Sequence, residues 1–137
     1  MLVADRLQHE ILIYSADGEF VKAFGGRGSG PGQFNRPTGI AYDAVRDRLF
    51  VTDKDNHRVQ VFTSQGRFLM AFGQHGNRDG QFYYPWGVAV SRCGDFIAVT
   101  DSRNRRVQLF SCRGKFLRTY QTGLDLPRGL VFSPNGK

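Results

Sequence analysis

A 48-residue step runs through this chain and limits what it can become. Asp5, Asp53 and Asp101 are 48 residues apart each time, as are Gly18, Gly66 and Gly114, and Phe20, Phe68 and Phe116. Tyr14, Phe62 and Phe110 keep the same register, and so do Ile13, Val61 and Leu109. Between these segments a second block recurs. Gln33-Phe34-Asn35-Arg36-Pro37-Thr38-Gly39-Ile40-Ala41 matches Gln81-Phe82-Tyr83-Tyr84-Pro85-Trp86-Gly87-Val88-Ala89. A shorter copy, Leu126-Pro127-Arg128-Gly129-Leu130-Val131, arrives 42 residues after the second. Self-similarity at a period of this size marks a unit that cannot bury its apolar faces alone and must stack on its neighbours.

Within one period the sequence predicts four short strands. Residues 38–42 are apolar and follow Pro37, whose ring biases its neighbour to extended geometry. Residues 49–52 are rich in strand formers, residues 59–62 alternate as a half-buried strand does, and residues 67–72 follow the turn Ser64-Gln65-Gly66. No segment carries a 3.6-residue period with caps, so almost no helix is expected. Four strands per unit describe a β-propeller blade. The expected fold is therefore all-β, with three blades' worth of strands here and six blades when complete. Lettered a to d from the axis outward, the strands read b-c-d, a-b-c-d, a-b-c-d, a. This divides the chain into a partial repeat at 1–20, repeats at 21–65 and 69–113, and a partial repeat at 114–137. An open arc leaves edges and flanks exposed. Completion is expected from further sequence of a longer chain, or from a homodimer of two three-blade arcs. In the homodimer the terminal a strand, residues 129–132, joins the partner's b-c-d set.

The charge is uneven. Arginines number 15 against 4 lysines. Residues 1–69 carry 9 basic and 8 acidic groups, and residues 70–137 carry 10 and 4. Such an excess fits either a polyanionic partner or a merely basic surface. No apolar run reaches the roughly 20 residues of a membrane helix, so no membrane contact is expected. No secretory signal or Asn-x-Ser/Thr acceptor occurs, and Cys93 and Cys112 are too few for a disulfide scaffold. A cytoplasmic protein is expected.

The repeated residues resemble a known family. Asp53-Lys54-Asp55-Asn56-His57-Arg58-Val59-Gln60-Val61-Phe62 is similar to the NHL repeat motif, and so is Asp101-Ser102-Arg103-Asn104-Arg105-Arg106-Val107-Gln108-Leu109-Phe110. With Gly-x-Phe before the last strand and Phe-x-x-Pro-x-Gly at 34–39 and 82–87, the chain resembles the C-terminal propeller of TRIM-NHL proteins, in the Brat-like and Wech-like branch. The resemblance implies a six-bladed ring, RNA binding on one face and repression of messenger RNAs. It also implies ubiquitin-ligase activity in a RING domain that these residues do not contain. The first unit departs from the motif, because Arg6-Leu7-Gln8-His9-Glu10 lacks its Asn and Arg.

Geometry sorts the remaining residues. In a propeller the d–a and b–c loops share one face. That face gathers Arg27, Arg36, Lys54, Arg78, Arg103, Arg105 and Arg128, against Asp55, Asp79 and Asp125, with His57, His75, Tyr83, Tyr84 and Trp86. The other face carries Arg46, Arg48, Arg92, Arg113 and Lys115, offset by Asp17, Glu19, Asp43, Asp47 and Asp95. Arginine contacts phosphates and base edges, and exposed aromatics stack unpaired bases. The expected RNA-binding residues are Arg36, Lys54, Arg78, Tyr84, Arg103, Arg105 and Arg128, meeting single-stranded or hairpin RNA. Trp86 fills the slot of Thr38 and is expected to serve packing first. Asp53, Asn56, Asp101 and Asn104 are expected to hold turns through local hydrogen bonds. A protein-interaction platform is the alternative. No catalytic residue, metal or cofactor is expected. The glycine-rich run 25–32 lacks a phosphate-loop pattern and reads as a long flexible d–a loop, and the histidines and cysteines have no zinc spacing.

Overall fold

A computed structural model describes residues 1–134, so the last three positions of the predicted partial repeat 114–137 lie outside the described residues. Strands β1 (Leu2–Asp5), β2 (Glu10–Tyr14) and β3 (Phe20–Gly25) form a three-stranded sheet. Strands β4 (Pro37–Asp43), β5 (Arg48–Asp53), β6 (Arg58–Thr63) and β7 (Phe68–Phe72) form a second sheet. The third contains β8 (Pro85–Val90), β9 (Phe96–Asp101), β10 (Arg106–Ser111) and β11 (Phe116–Gln121). Every pairing is antiparallel between chain neighbours, so each sheet is a meander. The expected b-c-d, a-b-c-d, a-b-c-d order is the observed one. Among the described residues helix is confined to two single 3-10 turns, Lys54–Asn56 and Ser102–Asn104, between strands b and c. No helix there is long and apolar enough to cross a membrane.

The sheets stack through two apolar clusters. Ile11, Phe34, Leu49, Val51 and Phe62 join the first sheet to the second. Phe50, Val59, Val61, Phe82, Val88, Ile97, Val99 and Phe110 join the second to the third. Successive side chains of a strand alternate between faces, so Leu49 and Val51 turn toward one neighbour and Phe50 toward the other. Phe34 and Phe82 come from the d–a loops and are fully buried, their rings 5.5 Å from Phe62 and Phe110 respectively. Inner strands approach closely because Gly39 and Gly87 lack side chains. A Cβ on Gly39 would come 2.8 Å from the Trp86 carbonyl oxygen, and one on Gly87 would come 2.2 Å from that of Arg128.

Three expectations are corrected. The terminal strand expected at 129–132 is not in a sheet, because among the described residues no b strand pairs with it to form a ladder. Its entry still takes the inner-strand position. Thr52 Oγ1 donates to the Trp86 carbonyl at 2.7 Å, and Thr100 Oγ1 donates to that of Arg128 in the same way. Next, the residues before the prolines are not extended. Arg36, Tyr84 and Leu126 have φ of 59°, 55° and 49°, and at the first two a histidine of the preceding blade accepts the backbone N–H. Finally, the d–a loop expected to be flexible is tied down. Its carbonyls at Gly28, Ser29, Gly30 and Gln33 accept from Asn56, Arg58 and Gln60 at 2.6–3.0 Å.

The b–c turns hold polar centres that explain the repeat. Asp53 is fully buried; its Oδ1 accepts the Asn35 backbone N–H at 2.8 Å. Its Oδ2 accepts from Asn56 Nδ2 at 2.9 Å, Arg58 Nε at 2.8 Å and Gln60 Nε2 at 3.1 Å. Asp101 repeats this with Tyr83, Asn104, Arg106 and Gln108 at 2.7, 2.9, 2.8 and 3.2 Å. A carboxylate stripped of water needs such donors, which is why Asp, Asn, Arg and Gln recur together. Arg58 and Arg106 therefore act in the fold.

Candidate nucleic-acid interface

Backbone bonds from Asp55 N–H to the Asn35 carbonyl at 2.9 Å, and from Arg103 N–H to that of Tyr83 at 3.0 Å, clamp the b–c turns of the second and third sheets beside a d–a loop. Both loop types thus share a face. There a cleft of about 280 Å³ is lined by Arg36, Lys54, Asp55, Tyr84, Trp86, Ser102, Arg103, Leu126 and Arg128. Arg36 and Tyr84 precede β4 and β8, Lys54 and Arg103 lie in successive 3-10 turns, and Arg128 enters beside β8. Two full blades and the start of the next therefore supply one cationic rim.

Five of the seven expected residues line this cleft: Arg36, Lys54, Tyr84, Arg103 and Arg128. Arg78 and Arg105 do not. Arg78 rides on the d–a loop, where its carbonyl accepts from Arg106 at 2.8 Å, and its side chain is exposed. Arg105 ends a 3-10 turn and pairs with Asp125 at 2.9 Å, both largely exposed.

Trp86 is the residue whose placement differs most from the sequence reading. It is half-buried, and it stands under cations as well as packing. The Arg128 guanidinium lies 4.1 Å from its ring centroid, Arg6 5.6 Å and the Lys54 ammonium 5.7 Å. Lys54 also lies 5.1 Å from Tyr84, and Arg103 lies 5.6 Å from it. The rings' negative faces draw these cations together despite their repulsion. Asp55 balances part of the charge by pairing with Lys54 and, at 3.8 Å, with Arg36. The sequence signal for Trp86 is its register with Arg128 at the mouth of an inner strand.

Outside the cleft the same face carries a second aromatic group. His57 and His75 stack with centroids 4.4 Å apart, His75 and Tyr83 are 5.1 Å apart, and Tyr83 and Tyr84 are 5.2 Å apart. Burial and the neighbouring His75 hold the His57 imidazole below the usual histidine range, with Asp55 opposing them. The opposite face is differently made. Arg46 and Arg48 both pair with the buried Asp43, Arg46 reaches Asp95 at 3.2 Å, and Asp47 accepts from Tyr42 and Ser64 at 2.6 and 2.9 Å. Its five cations thus face five carboxylates, and two of them, Arg46 and Arg48, are held in ion pairs.

The NHL repeat family matches residues 34–62 and 82–110, and a family described as a 6-bladed beta-propeller matches residues 1–46. No curated protein sequence matches the chain. Hydrazine synthase of Kuenenia stuttgartiensis superposes with a TM-score of 0.78 at 17% identity, over 99% of this chain and 36% of that one. A chain of a nidogen/laminin complex gives 0.73 at 23% identity, over 98% of this chain and 49% of that one. A luciferin-regenerating enzyme gives 0.67 at 16% identity, over 92% and 41%. The chain spans between about a third and a half of these structures' length. Two of these names are of enzymes and one is of a complex, so the shared fold does not by itself choose a function. What the matches and the sheets agree on is narrower: the chain is an all-β arc of the propeller fold, and two stretches of it are similar to the NHL repeat.

Proposed function

We propose that the chain is an RNA-recognition module of the TRIM-NHL kind, taking single-stranded RNA on its basic loop face. The observation that carries this reading is the convergence of Arg36, Lys54, Arg103 and Arg128 around Trp86 and Tyr84 in one cleft. Guanidinium and ammonium groups position phosphates, and the two rings stack unpaired bases, each stack contributing about 1–3 kcal/mol. A base entering beside Trp86 takes the place of the Arg128 guanidinium and frees it for phosphate. Duplex gains less from this arrangement, because its bases are already stacked. In this reading the chain recognises messenger RNA, and repression comes from partners recruited elsewhere.

The test is fluorescence anisotropy with labelled single-stranded RNA across a salt series, beside a neutral propeller as control. RNA recognition requires a linear fall of log affinity with log salt from counterion release. Binding no stronger than the control's would turn the same face into a protein-interaction platform, for which the propeller fold is equally suited.

A further inference from the structure

Two pairs of left-handed residues sit at the rim of the cleft, and each is fastened by an imidazole. His9 and Arg36 both have φ of 59°, and His57 and Tyr84 have φ of 52° and 55°. Side chains disfavour this backbone, so something must hold it. The Arg36 backbone N–H donates to His9 Nδ1 at 2.9 Å, and the Tyr84 backbone N–H donates to His57 Nδ1 at 3.0 Å. Arg36 and Tyr84 are the residues that bring a cation and an aromatic ring into the cleft. The third copy lacks the device. Arg105 replaces the histidine and has no acceptor, Leu126 replaces the rim residue, and Ser102 Oγ donates to the Pro127 carbonyl instead.

We propose that His9 and His57 are positioning residues whose neutral imidazoles set the cleft's rim, so that RNA binding weakens as the pH falls. The proposal rests on the RNA reading above. Nδ1 accepts an N–H only while it is unprotonated. Protonation removes both bonds and turns two N–H donors toward each other, releasing Arg36 and Tyr84 from their strained conformations. Around His57 stand Lys54 and Asp55 on its own turn, Asp101 on the next blade, and His75, Tyr83 and Tyr84 on the d–a loop, with Arg103 over the Tyr84 ring. Around His9 stand Asp5 and Glu10 beside it in the chain, with Arg27, Arg36 and Asp55 across a cavity. The sign separates this device from simple electrostatics. Added positive charge by itself tightens binding to a polyanion, and here protonation loosens it.

The experiment measures affinity for a labelled pool of random single-stranded RNA of about 12 nucleotides, a length within the usual site size. It runs from about pH 7.5 to about pH 4.5 at constant ionic strength, reaching below the ordinary histidine range because the His57 imidazole is held low. Wild-type affinity is expected to fall by about tenfold toward acid, the weight of a lost hydrogen bond. A His9→Asn/His57→Asn variant tolerates the left-handed backbone, keeps an acceptor oxygen and does not titrate. It is expected to stay within about twofold of wild type at neutral pH and to show no acid loss. His75→Asn is expected to keep the acid loss but to move it toward higher pH, because His75 helps to hold the His57 imidazole low. Wild-type binding that is level or tighter in acid overturns the proposal, as does an acid loss that persists in the double variant or vanishes in His75→Asn. Amide exchange at Arg36 and Tyr84, read by NMR without RNA, separates the two readings. If no RNA binds at any pH, the RNA reading fails. The positioning role then stands only if protection of these amides drops in acid in the wild type and not in the double variant.

Discussion

The Arg128 guanidinium lies 4.1 Å from the centroid of the Trp86 ring, although 42 residues separate them in the chain. This contact links the third blade's inner strand to the start of the next. Trp86→Ala is expected to lower RNA affinity by about 1–3 kcal/mol, roughly 5- to 150-fold. Arg128→Ala and Arg36→Ala are expected to weaken binding while leaving the melting temperature unchanged, because both side chains are exposed. A lowered melting temperature in either arginine variant would make that arginine a brace of the fold.

Salt separates positioning from stacking. Each phosphate contact contributes about 0.7 to the slope of log affinity against log salt for a single strand. Arg103→Gln removes a cleft cation and is expected to shrink the slope by about that amount. Arg46→Gln, on the face where Asp43 and Asp95 already pair with it, is expected to leave the slope alone. Equal changes in the two variants would refute the choice of face.

Asp53 and Asp101 are expected to matter for stability. Asp53→Ala strands the donors of Arg58, Asn56 and Gln60, and breaking a buried pair of this kind costs about 3–5 kcal/mol. Urea denaturation reads the difference. A loss below about 1 kcal/mol, the scale of a surface pair, would mean that water replaces the carboxylate without penalty.

Acid should destabilise the chain through His57 even without a ligand. Its folded-state pKa lies below the usual histidine value, so folding favours the neutral ring. The stability this provides is complete above the ordinary histidine value and is lost as the pH falls from that value through the lower folded-state one. The melting temperature of wild type minus that of His57→Asn is expected to decrease from neutral to mildly acid pH. A constant difference would mean that the ring titrates alike in both states.

The first blade's outer flank exposes positions that the second blade buries. Met1, Val3 and Phe20 stand in the register of Leu49, Val51 and Phe68. Met1, Val3 and Phe20 are 69%, 38% and 59% exposed, whereas Leu49 and Val51 are buried and Phe68 is half-buried. We propose that a second copy covers this flank and closes a six-blade ring. Light scattering on the 137-residue chain is expected to give a dimer that Val3→Asp disrupts. A well-folded monomer rejects closure by a second copy.

Much of this architecture was legible because its causes are local and repeated. Strand alternation at 59–62, the glycines that end turns, and the Asp, Asn, Arg and Gln set of each b–c turn lie within one period. The face that carries the cationic rim follows from strand order alone. The d–a loop was misread because its anchors, Arg58 and Gln60, lie about 28 residues downstream of the carbonyls they hold. The pre-proline positions were misread because a bond from another blade overrode the local preference at Arg36 and Tyr84.

The 48-residue pattern by itself determined the all-β class, the meander of each sheet and the residues that serve the buried turns. Only the tertiary structure decided that Trp86 lies under Arg128 while Arg78 and Arg105 stay outside the cleft. A side chain's register states which loop it belongs to. Whether it meets another depends on the rotation between stacked sheets and on single backbone angles at their edges, and no local pattern encodes these.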